Sequence, residues 1–240
     1  MARSTGIRFV FRALCSLALT AAAVFSVTKF ARAEVDPVPL LQQALRTRLT
    51  IWTNKRTGFM KPASHCRSAQ GGCDARLLEF AQYLKDAGER FEIDPWLLAA
   101  MAYRESRLNP FAVGKVGERG ILQLHPKNKR SKHVRFVTDS HYRAHCKRET
   151  GACQREVVER AAQMLATSLN KCGGDLEQAL AMYNTGRCSG GHRYADRVLR
   201  ERARLKQTVG LDLEGLTASN LQVHASTVSQ AQADGLDAEN

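Results

Sequence analysis

Along most of this chain the apolar residues recur every three or four positions, the period of a helix that buries one face. Leu40, Leu41, Ala44, Leu45, Leu49 and Trp52 share one such face. Asp74 caps a second helix on which Leu77, Leu78, Ala81 and Leu84 align, with Gly88 as its stop. Asp94-Pro95 is the clearest helix start, with Asp as N-cap and Pro in the first turn. Residues Trp96 to Ala102 that follow are apolar on nearly every side, which marks a buried helix. Pro110 and Gly114 break the pattern, so the chain up to Gly120 reads as loop or short irregular strand. Helical spacing returns with Val157, Ala161, Met164, Leu165 and Leu169 and stops at Gly173-Gly174. It resumes from Leu176 to Tyr183 after Asp175, and once more from about Tyr194 to Leu205. No period-two alternation and no internal repeat is visible, so the pattern predicts an all-α domain.

The two ends differ from this body. Arg3, Arg8 and Arg12 precede an apolar block from Ala13 to Val27, and Ala31-Arg32-Ala33 offers a small-residue cleavage site. A basic start, an apolar block short of the ~20 residues a spanning helix needs, and that site together read as a signal peptide over residues 1–33. Cys15 opens the apolar block instead of following it, which argues against lipidation. The net charge of the chain is +13, and five of those charges belong to the leader, so the exported chain carries +8. Beyond Lys206 there are five acids and no Lys or Arg, so residues 207–240 form an acidic tail with few large apolar residues, expected to be disordered. Residues 34–60 are expected to be an N-terminal helical extension, and 61–206 the functional domain.

Six cysteines remain past the leader: Cys66, Cys73, Cys146, Cys153, Cys172 and Cys188. An even set in an exported chain points to three disulfides, for which sequence alone allows many connectivities. Local pairing is expected: Cys66 with Cys73 and Cys146 with Cys153 close short loops, and Cys172 with Cys188 brackets a helix. His141 and His145, next to Cys146, have a spacing that zinc can use, but no C-x-x-C pair or four-ligand set accompanies them, so no metal is expected. The basic, histidine-rich run from Lys127 to Arg148 reads as a solvated loop or as an electrostatic rim for an anionic polymer. It lacks the interleaved aromatics of a nucleic-acid site.

The candidate chemistry lies in three motifs. Tyr103-Arg104-Glu105-Ser106 ends the apolar helix, Gly117-Glu118-Arg119-Gly120-Ile121-Leu122-Gln123 follows, and Met182-Tyr183-Asn184-Thr185-Gly186 comes later. Glu105 falls at the boundary of core and cleft, where desolvation disfavours the charged carboxylate and suits it to general-acid work. In order and rough spacing these motifs resemble the soluble lytic transglycosylase (SLT) domain, whose fold is shared with goose-type lysozymes. The resemblance covers about residues 74–205. It implies a helical, lysozyme-like fold, α+β at most, with a cleft for peptidoglycan glycan strands. It also implies cleavage of the β-1,4 bond between N-acetylmuramic acid and N-acetylglucosamine. Glu105 matches that family's catalytic acid; Gln123, Tyr183, Asn184 and Tyr194 match residues that line its cleft.

Two departures stand out. Gly114 occupies a position where the family often has serine, and Glu118-Arg119 replaces small or apolar residues between the glycines. Glu118 is thus a possible second carboxylate, or the partner of Arg119 in a surface ion pair. The resemblance implies that Glu105 acts twice and leaves a 1,6-anhydromuramic acid. The alternatives are a muramidase that hydrolyses the same bond and a non-catalytic wall-binding or assembly factor. No cofactor, no nucleic acid and no stable membrane insertion of the exported chain are expected. The expected location is the periplasm or the cell exterior, and the expected state is a monomer.

Overall fold

The computed structural model describes residues 36–54, 59–148 and 151–211. The leader and the tail beyond residue 211 lie outside the described residues. The elements run α1 (Pro37–Leu49), β1 (Thr50–Asn54), β2 (Phe59–Pro62), α2 (Ser64–Arg67), α3 (Gly72–Phe91) and α4 (Pro95–Ser106). They continue with α5 (Arg135–Thr138), α6 (Ser140–His145), 3-10 turns at Cys146–Arg148 and Ala152–Gln154, α7 (Arg155–Lys171), α8 (Leu176–Thr185) and α9 (His192–Thr208).

Helix α4 is the axis of the domain. Leu98, Ala99, Ala100, Met101 and Ala102 have no exposed surface at all, because α1, α3 and α9 pack around the helix. Its start is fixed as the Asp-Pro signature predicts: Asp94 Oδ1 accepts from Trp96 N at 3.0 Å. The other carboxylate oxygen of Asp94 pairs with Arg202 and, at 3.7 Å, with Lys206, tying the head of α4 to the end of α9. Asp36-Pro37 is a second copy of that signature, and Asp36 Oδ1 caps Val38 N at 3.1 Å. Helix α1 therefore begins three residues before the first apolar position read as helical, Leu40.

Three expectations change. The expected helical extension is helix only to Leu49; Trp52 lies in β1, and β1 pairs antiparallel with β2 from Thr50↔Pro62 to Asn54↔Phe59 across an irregularity between Trp52 and Asn54. Thr50-Ile51-Trp52-Thr53 is β-branched and aromatic, the composition that favours strands. Gly88 does not stop α3, which runs on to Phe91. A Cβ there would lie 2.6 Å from the Ile93 carbonyl oxygen, so this glycine serves the tight turn into α4. The basic run is not a free loop either: Val134, Phe136 and Val137 are buried, and Phe136 packs on Phe111 with ring centroids 6.0 Å apart.

The disulfides are Cys66–Cys73, joining α2 to α3, Cys146–Cys153, and Cys172–Cys188, which brackets α8. Cys146 is thereby committed to sulfur beside His141 and His145. Helix α9 passes the expected tail boundary to Thr208, and Val209 and Leu211 pack against the core. None of the described helices is long and apolar enough to cross a membrane.

Candidate active site

Glu105 is the penultimate residue of α4, and the chain turns sharply behind it. Arg107 and Leu108 both have positive φ, at 51° and 58°. Two successive left-handed non-glycine residues cost about 1–2 kcal/mol each. Burial of the Leu108 side chain, 0% exposed, holds them there. The turn leaves Glu105 half-buried at the wall of a cavity of about 850 Å³, which Glu118, Gln123, Tyr183 and Asn184 also line. Tyr194, itself buried on α9, donates its hydroxyl to Glu105 Oε1 at 2.5 Å.

Five influences set the proton affinity of Glu105, and burial, which raises it, is the largest. The Tyr194 hydrogen bond lowers it, the Glu118 charge raises it, and Arg197 and Arg104 lower it; the net shift is upward from the ordinary carboxylate range. Burial, with the nearby Glu105 carboxylate second, pushes Tyr183 and Tyr194 well above the usual phenol range, so both remain neutral donors. The site thus holds a carboxyl that is readily protonated, beside a donor that stabilises its anion.

The loop from Gly117 to Leu124 faces Glu105, and hydrogen bonds to Ser106, Gln154 and Tyr183 hold its centre. Ile121 N donates to Gln154 Oε1 at 3.0 Å, and Ile121 O accepts from Ser106 Oγ at 2.9 Å. Leu122 O accepts from the Tyr183 hydroxyl at 2.9 Å. Gln123 Nε2 donates to Gly120 O at 2.9 Å and Ala112 O at 3.2 Å. Ile121, Leu122 and Leu124 anchor the loop in the core. Gly120 has φ +77°, and a Cβ there would lie 2.8 Å from Val157 Cγ1 on α7. Backbone conformation and close helix approach therefore both require glycine at this position.

All of Glu105, Glu118, Gln123, Tyr183 and Asn184 line one cavity, and Tyr194 contacts it through Glu105. Their tasks differ. Tyr183 spends its hydroxyl on the loop backbone, and Gln123 spends both amide protons there, leaving Oε1 as its free polar atom. Asn184 is exposed and makes no side-chain hydrogen bond among the described residues, so its whole amide is free for a ligand. Glu118 is not paired with Arg119 among the described residues; its Oε2 accepts from Val116 N at 3.1 Å. A Cβ at Gly114 would lie 2.0 Å from that same Oε2. A side chain at position 114 would therefore require the Glu118 carboxylate to move from its present place.

Gln154 escaped the sequence reading. It is 1% exposed, adjoins Cys153, and supplies the acceptor that fixes Ile121. An isolated glutamine in a short 3-10 turn carries no periodic or motif signal; only its place beside a bridged cysteine marks it.

Residues 82–195 match the transglycosylase SLT domain family, an interval that runs from within α3 to the first turn of α9 and includes Glu105 and Tyr194. A stretch of 49 residues is 43% identical to the membrane-bound lytic murein transglycosylase F of Hahella chejuensis (strain KCTC 2396). That stretch covers 20% of this chain and spans a tenth of the relative's length. A half-buried acid at the end of an apolar helix, a glycine loop clamped opposite it and a Tyr-Asn pair beside it all fall within residues 82–195, the interval in which this chain is similar to the transglycosylase SLT domain family.

Proposed function

We propose that this chain is an exported peptidoglycan lytic transglycosylase, acting in the periplasm on the bond between N-acetylmuramic acid and N-acetylglucosamine. The observation that carries this reading is the half-buried Glu105, held by Tyr194 at 2.5 Å on the wall of a sugar-sized cleft. Export is supported by the leader pattern of residues 1–33 and by the three disulfides. The proposed boundaries are the leader at 1–33, an extension at 34–60, and a catalytic domain from 61 that runs past 206 to Leu211, with the tail after it.

In the proposed reaction protonated Glu105 gives its proton to the glycosidic oxygen as the C1–O bond of the muramic acid breaks. The carboxylate left behind then takes the proton of the muramic acid C6 hydroxyl while that oxygen bonds to C1. The carboxyl ends protonated, no water is consumed, and the product is a 1,6-anhydro sugar. Tyr194 offsets the charge on Glu105 between the two transfers. Asn184 and Gln123 Oε1 are the proposed contacts to the sugar, and Tyr183 positions the loop that carries Gln123.

Glu118 favours one second reading, since hydrolysing glycosidases use two carboxylates. A muramidase would place Glu118 as base for a water. Mass spectrometry of the released muropeptides decides: anhydro ends lighter by one water support the transglycosylase, and ordinary reducing ends support the muramidase. Glu105→Gln is expected to lower turnover at least ~100-fold. Activity that survives this change would sink both readings.

A further inference from the structure

The cleft does not end at the catalytic residues. Arg130 and Met164 line both the main cavity and an adjoining depression of about 200 Å³, whose other walls are Arg160, Gln163 and Thr167. Arg160, Met164, Ser168 and Lys171 recur at helical spacing along one side of α7 and give that side a continuous edge. From Arg160 to Lys171 the edge measures about 16 Å at 1.5 Å per residue.

The charge along this edge is one-sided. The cavity near Glu105 mixes the acids Glu105 and Glu118 with Lys115 and Lys171, whereas the depression has Arg130 and Arg160 in its walls and no acid. Neither Arg130, Arg160 nor Lys171 pairs with a carboxylate among the described residues, although the domain elsewhere pairs Arg48, Arg90 and Arg202. Arg160 Nη1 donates to Gln163 Oε1 at 2.6 Å, which orients the guanidinium and leaves its remaining N–H groups free. Two arginines that share a recess without an acid repel each other, and a planar anion between them removes that repulsion. Carboxylate is the group that the guanidinium fork matches best.

We propose that the Arg130–Arg160 recess is a carboxylate subsite that takes the acidic side arm of a muramic acid lying along the cleft. The proposal rests on the glycan reading of the cleft. Each muramic acid bears a lactyl carboxyl, either free or amide-linked to a peptide with carboxylates of its own. The recess thus favours muramic-acid-bearing strands over neutral chitin-type chains. Lys171, at the far end of the edge, extends the same preference.

The test uses the full chain carrying Glu105→Gln to stop turnover, and compares its affinity for three glycans of matched length. These are peptide-bearing wall strands, strands stripped of peptide by an amidase, and a neutral chito-oligosaccharide. The expected result at low salt is about tenfold or more tighter binding of the acidic strands than of the neutral one, as charge-assisted hydrogen bonds supply. That ratio should fall towards one in Arg130→Gln/Arg160→Gln, survive largely in Arg130→Lys/Arg160→Lys, and narrow as salt is raised. Tight binding of the stripped strands identifies the lactyl carboxylate; a preference confined to peptide-bearing strands identifies the peptide. Equal affinity for acidic and neutral glycans, or a ratio unchanged in the glutamine variant, overturns the proposal. The wild-type protein is assayed for cleavage of the same strands: failure there removes the proposed activity, while the affinity ratio still decides the recess.

Discussion

Gly117 and Gly120 belong to one motif, yet the structure gives them different reasons to be glycine, and the difference can be measured. Both have positive φ, 94° and 77°, so alanine at either position carries a backbone cost of about 1–2 kcal/mol. At Gly117 that is nearly the whole effect, because the nearest atom to an added Cβ is Pro126 Cγ at 3.9 Å. At Gly120 the Cβ would lie 2.8 Å from Val157 Cγ1, 3.1 Å from Val157 Cγ2 and 3.0 Å from Gln154 Oε1. Overpacking of that kind adds about 1–3 kcal/mol, and displacement of Gln154 leaves Ile121 N without its acceptor. Gly120→Ala is therefore expected to cost about 1–3 kcal/mol more than Gly117→Ala in urea unfolding, the excess following from the overlap. Val157→Ala should relieve part of it, so the pair Gly120→Ala/Val157→Ala should cost less than the sum of the single changes by at least ~0.5 kcal/mol. Equal losses for the two glycine variants, or strict additivity with Val157→Ala, would show that the loop does not press on α7 as described.

Three further outcomes are expected. Arg48 forms a two-point ion pair with Glu201, at 2.7 and 3.2 Å, and Glu201 is 1% exposed. Arg48→Met should lower stability by about 3 kcal/mol, as for a broken buried pair, with Arg48→Met/Glu201→Leu recovering much of it; a loss under ~1 kcal/mol in thermal unfolding would contradict the burial argument. The pH profile of turnover should fall on its alkaline side as Glu105 loses its proton. Because the Tyr194 hydrogen bond favours the carboxylate and the Glu118 charge disfavours it, Tyr194→Phe should move that limb to higher pH and Glu118→Gln to lower pH. Shifts in the same direction would refute the assignment. Cys172→Ser/Cys188→Ser opens the bridge around α8 and should cost about 3 kcal/mol, with turnover falling too because α8 carries Tyr183 and Asn184; full stability on reduction would speak against that bridge.

Sequence reached the helices wherever one face was buried at regular spacing, as on α7 with Val157, Val158, Ala161, Ala162 and Leu165 inside. It also placed Glu105 at the boundary of core and cleft, where it lies half-buried on the cavity wall, although the three motifs in series, and not the helix alone, singled it out. The hairpin was lost because a two-stranded ribbon is too short for period-two alternation to stand out beside the helical face of α1. The extent of α3 was misjudged because a glycine that admits a neighbouring carbonyl looks, in sequence, like one that ends a helix. The division of labour among the cleft residues was not legible at all. Whether Tyr183 addresses a sugar or Leu122 O depends on a tertiary distance across 61 positions of chain.

Helix α1 lies outside the matched interval 82–195, yet Leu41, Ala44 and Leu45 are wholly enclosed, and its Arg48 both stacks 4.8 Å over the Tyr103 ring and neutralises Glu201 of α9. Helix α4, which carries Glu105, thus leans on a segment that the family match does not include. The piece of chain that folds is larger than the piece that carries the recognisable chemistry. A graft limited to residues 82–195 would bring Glu105 and its loop but leave behind the Arg48–Glu201 pair and most of α9, and strip the rear wall from the helix that aims Glu105. In this protein a borrowed active site would need its upstream neighbour to come along.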